Sequence, residues 1–218
     1  MTASPPRTRA QWVDDRLREE ILEGALRPGD RVPVERLATV WGVSATPIRE
    51  SLRRLAGEGL VTLLPQRGAR VSNVDAKLAA DVYGVRLALE PMALRQSMLA
   101  AATDDDRWAL FAREVREASD RLLAVHTVPT DFYRAHRAFH RTLLSRCPNQ
   151  VLIGQIEQLT DRARLFQLLG AAPARRSDHR LEHASIADAT IARDVDAAVG
   201  ALVSHLLLTL SVIEGMVV

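Results

Sequence analysis

Apolar residues return at helical spacing from the start of the chain. Val13, Leu17, Ile21 and Leu22 share one side of a helix predicted from Trp12 to about Gly24. Arg27-Pro28-Gly29-Asp30 then reads as a turn. A short helix follows over Glu35–Trp41, then a sharp break at Gly42-Val43-Ser44, then a second helix to about Glu58, where Gly59 ends it. In that second helix Ile48, Leu52, Leu55 and Ala56 make an apolar face, while Thr46, Arg49 and Arg53 lie on another. Ser44 is placed to cap it through its hydroxyl. Pro47 falls in its first turn, where a missing N–H costs nothing. Leu60–Leu64 and Ala69–Val74 are β-capable runs joined by Pro65-Gln66-Arg67-Gly68, a hairpin with Gly68 at a positive-φ position.

Beyond Val74 the pattern is helical to the end. Helices are expected near 76–89, 91–102, 104–126, 130–146, 150–169, 177–191 and 194–216. The breaks are Pro91, Thr103 as a cap, Pro129, Pro148-Asn149, Gly170–Pro173 and Asp194. Gly84, inside the first of these, suggests close packing. The expected fold is mainly α: a tail over 1–9, a winged helix-turn-helix over 10–74, and an antiparallel bundle of six or seven helices over 75–218.

Composition agrees. Only 4% of residues are aromatic, and Ala and Leu abound, which favours helix over sheet. A single cysteine, Cys147, excludes an intrachain disulfide framework and a multi-cysteine zinc site. The apolar run Ala201–Val218 is interrupted by His205 and Glu214 and is short for a membrane span. No signal-type apolar segment stands at the N-terminus, and a cytoplasmic location is expected. The net charge of +2 excludes little, but residues 44–70 carry five Arg against two Glu. A local positive excess suits contact with phosphate.

Two short helices with one buried stripe and an outward row of hydroxyl and guanidinium groups suit the major groove of DNA. The hairpin after them would be a wing, with Arg67 at its tip. The candidate DNA-binding set is Ser44, Thr46, Arg49, Arg53, Arg67 and Gly68. In the helical half, His136 and His140 are four apart, which stacks two imidazoles on one face. His183 and His205 fall on the last two helices, and bundle cores assemble metal sites in this way. Composition alone does not single out these four. His179 and His183 form another i,i+4 pair, and His126 and His179 read as solvent-facing. Asp104–Asp106 reads as a charge cluster matched to a helix dipole.

Leu37-Ala38, Gly42-Val43-Ser44, Thr46-Pro47-Ile48-Arg49-Glu50, Leu55, Glu58-Gly59-Leu60-Val61, Arg67-Gly68 and Val71, with Pro28-Gly29 upstream, resemble the winged-helix head of GntR transcription regulators. Arg86-Leu87-Ala88-Leu89-Glu90, Phe139-His140, Asn149, Glu182-His183 and His205 resemble the ligand-sensing FCD domain of the FadR-type branch. The chain departs from the pattern at Ala45, where the family often has a DNA-contacting arginine. It departs again at His136, where members with metal sites often carry Asp.

The resemblance implies a DNA-binding regulator, expected to be a repressor and not an enzyme. It implies a homodimer on a palindromic double-stranded operator, and no membrane partner. It also implies a divalent transition metal, Zn in the first place with Ni or another possible, held by His136, His140, His183 and His205. With Asp replaced by neutral His, the metal charge would favour an anionic ligand, a small carboxylate effector. Arg86 stands at the family's effector-facing arginine position, and Arg162 or Arg164 would join it. Two alternatives stay open: a metal-free pocket whose histidines bind the effector directly, and a metal-dependent enzyme fused to a DNA-binding head. An HExxH-type glutamate that would favour the enzyme is absent.

Overall fold

The computed structural model describes residues 8–125, 129–169 and 176–215. They form two compact units, divided in the linear chain between Asp75 and Ala76.

The first unit begins with α1, Arg9–Leu22. A reciprocal cap opens it: Gln11 N–H donates to Thr8 Oγ1, and Thr8 N–H to Gln11 Oε1. Val13, Leu17, Ile21 and Leu22 are buried, as the spacing predicts. α2, Val34–Trp41, ends at Gly42, whose left-handed backbone (φ 63°) lets its N–H reach back to Ala38 and Thr39. α3, Ala45–Gly57, buries Ile48, Leu52 and Leu55. Ser44 stands at its N-cap position with extended backbone, but its hydroxyl makes no capping hydrogen bond, contrary to the expectation. Ser51 Oγ and Arg54 Nε both donate to Asp14 Oδ1, at 2.8 and 3.0 Å, which ties α3 to α1.

β1, Val61–Leu64, pairs antiparallel with β2, Gly68–Val71, in the register Val61↔Val71 to Leu64↔Gly68. Gly68 has φ 86°, and Gln66 also takes a positive φ of 58° in the turn. Residues 29–32 add backbone hydrogen bonds along the outer side of β2, with Arg31 bridging Arg70. The turn read at 27–30 therefore also starts a third short strip of pairing.

The first unit also takes up the end of a later helix, α7, Gln150–Leu169, from Asp161 onward. Ala163, Leu165 and Phe166 are buried there. Arg18 links Glu58 at 2.6 Å and Asp161 at 2.8 Å. Burial works against the Arg18 charge, but the two carboxylates more than offset it and raise its pKa.

The second unit holds α4 (Ala76–Ala101), α5 (Asp105–Ala124), α6 (Pro129–Leu144), the start of α7, α8 (Arg176–Ile191) and α9 (Val195–Glu214). α9 packs on α4 and α8, while α5 packs on α6 and α8. Pro91 does not break α4 in two, which corrects the expected division at that residue. The buried stripe Val82, Tyr83, Arg86, Glu90, Ala93, Leu94, Ser97 and Met98 runs straight through it, and that packing outweighs one lost backbone hydrogen bond. Gly84 is exposed and would meet nothing if it carried a side chain, so it marks no close approach. Asp104, rather than Thr103, caps α5 by accepting from Asp106 and Arg107 N–H. Asp194 caps α9. By length and composition α9 could cross a membrane, but in this fold it is a bundle helix with Leu202, His205, Leu206 and Thr209 buried.

Candidate DNA-reading face and histidine centre

The first candidate site follows from the two faces of α3. Its apolar face is spent on α1, so Ser44, Thr46, Arg49 and Arg53 are left exposed on the outer side. Arg49 Nη2 donates to Glu35 Oε1 at 2.8 Å, with both side chains more than half exposed. Such surface pairs contribute at most about 1 kcal/mol, so phosphate or a base edge can displace Glu35 readily. Arg67 and Gly68 are exposed at the tip of the hairpin. Arg54, by contrast, is engaged with Asp14. Arg9, which the sequence reading passed over, donates to the carbonyl of Gly42 at 2.6 Å and steadies the turn between α2 and α3.

The second site lies inside the helical unit. The i,i+4 spacing on α6 puts His136 and His140 side by side, α8 supplies His183, and α9 supplies His205. The four rings stand with centroids 4.5 to 6.0 Å apart. Each offers one nitrogen within 4.8 Å of the others. His140, His183 and His205 are buried and His136 is half-buried. Burial, first of all, pushes the pKa of His136 and His140 well below the usual histidine value. The neighbouring imidazoles and Arg86 push in the same direction. His183 is held down at about 3, again mainly by burial. Neutral imidazoles are the form that binds a metal.

Two of the rings are oriented from behind. His205 Nδ1 donates to Glu182 Oε2 at 2.8 Å, and His183 Nδ1 donates to the His179 carbonyl. Both hydrogen bonds leave Nε2 as the ligating atom, the arrangement by which outer partners fix metal-bound histidines. His140 Nε2 and His183 Nε2 stand 3.4 Å apart. A tetrahedral centre with Zn–N of about 2.0–2.1 Å has nitrogen–nitrogen edges of about 3.3–3.4 Å. The donor set therefore fits a divalent transition metal. Imidazole donors suit Zn, Ni or Cu alike, and the geometry does not choose among them.

Two expectations change here. His179 is not a bystander: it is half-buried, and its Nδ1 lies 3.5 Å from Glu182, so His179, Glu182 and His205 make a second small cluster. His126 lies outside the described residues. The charge of a metal held there would not be left without a counterweight, because Glu182 stands directly behind His205. The His205 hydrogen bond holds the Glu182 carboxyl below its usual pKa. Glu182 was visible in the sequence only as the neighbour of His183, and nothing local signalled its reach to α9.

Arg86 is buried, with its guanidinium 4.8 Å above the Tyr83 ring and Nε 2.5 Å from Glu90 Oε1. It is a core residue rather than a surface one. Its charge works in the same direction as burial on the pKa of His136 and His140. Arg162 packs within the first unit. Its Nε lies 3.0 Å from where a side chain on Gly59 would begin. Arg164 Nε donates to the Leu22 carbonyl at 2.9 Å. Both belong to the first unit, because they follow Asp161 on α7.

The family model of bacterial regulatory proteins of the gntR family matches residues 9–71, and the FCD domain model matches residues 81–208. The uncharacterized HTH-type transcriptional regulator BphR of Paraburkholderia xenovorans is 31% identical over 212 residues, 91% of this chain and 82% of that protein. The HTH-type transcriptional repressor GlaR of Escherichia coli is 26% identical over 212 residues, 91% of this chain and 92% of that protein. The solved structure of E. coli McbR/YncC superposes with a TM-score of 0.84 at 22% identity, over 96% of this chain and 99% of that one.

Proposed function

Because the chain belongs to the GntR family of bacterial regulatory proteins and carries an FCD domain, we propose that it is a metal-dependent, effector-controlled transcription repressor. Ser44, Thr46, Arg49 and Arg53 read the operator from α3, with Arg67 and Gly68 contributing from the wing. One head presents one α3 and one wing, enough for a half-site. That geometry supports a homodimer on a palindromic operator, acting in the cytoplasm where the DNA is. Repressors among the relatives support the sign of regulation.

The observation that carries the metal reading is the histidine quartet with two Nδ1 atoms anchored from behind. A bound metal would act as a Lewis acid toward a small carboxylate effector. His136, His140, His183 and His205 would supply four imidazole donors to it. His140, His183 and His205 would hold the metal from the buried side and His136, the least buried of the four, from the more open one, where a carboxylate would find it. Arg86, fixed by Glu90 and Tyr83, supplies a positive charge beside that position. An effector acts by favouring one arrangement of the protein over another, and so changes operator affinity only through that difference.

The test is elemental analysis of untagged protein, followed by gel-shift titration of an operator fragment with small organic acids, with and without chelator. The expected result is about one metal per chain and an acid-dependent shift that chelator abolishes. Metal-free protein with an unchanged acid response would replace this reading by a pocket in which the histidines bind the effector directly.

A further inference from the structure

α8 carries members of two ligand sets. His183 belongs to the quartet. His179 and Glu182, three apart and so on one face of the helix, converge with His205 of α9 in a separate group whose ligand atoms lie within 4.8 Å of one another. Glu182 Oε2 is 2.8 Å from His205 Nδ1 and 3.5 Å from His179 Nδ1. These spacings bracket the ligand–ligand edge of about 3.3–3.4 Å expected around a zinc ion. We propose that His179, Glu182 and His205 form an outer site for a divalent transition metal, occupied in alternation with the quartet, and that the quartet is filled and emptied through it. The inference rests on the metal reading above and deepens it, by naming the route to the buried ligands.

Two histidines and a carboxylate are the donor set of zinc sites that keep a position open to a further ligand, and an open position suits exchange. The set also runs from the surface inward. The His179 side chain is 28% exposed, that of Glu182 16% and that of His205 4%. His205 is the ring the two sets share, and its single proton makes them alternate. A neutral imidazole carries one ring proton. With the proton on Nδ1, His205 donates to Glu182 and leaves Nε2 bare for the quartet. With the proton on Nε2, the bare Nδ1 joins His179 and Glu182. The ring stays neutral in both forms, and the proton passes from one nitrogen to the other by way of solvent. Glu182 changes role with it, from hydrogen-bond acceptor to ligand. His183 cannot follow His205, because its Nδ1 is engaged with the His179 carbonyl. His136 is also half-buried, and entry on its side is the competing route.

The experiment mixes metal-free, untagged, full-length protein with zinc by stopped flow and follows loading, then release, with a chromophoric chelator. His179→Ala should slow both rates by about tenfold or more, because a step lost from the path hinders both directions equally. Equilibrium affinity should stay within about threefold, because the quartet is untouched. His179→Cys, which restores a ligand atom, should recover both rates. His179→Phe, which keeps a ring without one, should not. With excess zinc, a His136→Ala/His140→Ala variant should retain weak binding that is lost when His179→Ala is added. Unchanged rates in His179→Ala, recovery by Phe, or residual binding that is absent or indifferent to His179 overturns the outer site and leaves the quartet standing. Failure of the unsubstituted protein to take up zinc overturns both.

Discussion

Replacing Glu182 by Gln tests whether the histidines are organised for a metal. The carboxylate accepts from His205 Nδ1 at 2.8 Å, and only 16% of its side chain is exposed. Gln keeps the size and can still accept through its own oxygen, so His205 keeps its tautomer and its Nε2 keeps its direction. What goes is the negative charge behind the ring, which makes the imidazole a better donor and offsets part of the metal charge. Loss of such an outer partner costs about 10- to 100-fold in metal affinity, or about 1.4–2.8 kcal/mol. Gln should fall at the lower end, because only the charge is lost. Ala should fall at the upper end, because the orienting contact goes too. The measurement is competition for zinc between the untagged protein and a chromophoric chelator, with circular dichroism to confirm that the helices persist. His179→Ala is the control: its Nδ1 is 3.5 Å from Glu182 and its side chain is 28% exposed, so affinity should change less than about threefold. Zinc affinity unchanged in both Glu182 variants would refute the role of Glu182 and weaken the case for a metal.

Other perturbations probe the remaining elements. Arg49→Ala should abolish specific operator binding in a gel shift at matched salt. The fold should stay intact, because the Arg49–Glu35 pair it breaks is exposed. Unchanged specific binding would remove Arg49 from the reading face. Leu55→Ala empties a fully buried position under α3 and should cost about 2–5 kcal/mol in urea unfolding; a cost below 1 kcal/mol would mean that the α1–α3 packing is misjudged. In the metal-free protein, His183 is neutral when folded, with a pKa of about 3, and ordinary when unfolded, near 6.5. The unfolded chain therefore binds the extra proton first. Stability should be full above about pH 6.5 and fall progressively toward pH 3. A flat profile over that window, read from thermal melts after chelation, would contradict the burial of the ring.

The winged head was legible because its signals are local. Apolar spacing, a positive-φ glycine after each short helix and a turn-rich hairpin each depend on residues a few positions apart. Ile48, Leu52 and Leu55 could only form one face, and Arg49 could only lie off it. The pairing of 29–32 with β2 escaped notice, since an edge of three or four residues has no periodicity of its own. Pro91 misled for a related reason: its effect on a helix is a local preference, whereas the buried stripe that overrides it depends on α9.

The sequence by itself determined the order and type of the elements, the outward row on α3, and the four histidines as candidates. Side-chain period and backbone preference are properties of a single segment. Tertiary structure alone decided which distant groups met. It set Glu182 behind His205, buried Arg86 against Glu90, and set Arg162 beside Gly59 and Arg164 at the end of α1. Helix spacing tells which side of a helix a residue occupies, but the facing partner depends on the rotation and register of a second helix. The histidine centre was thus half visible from the start: its four imidazoles from their spacing and resemblance, and the groups that orient them only from the packed bundle.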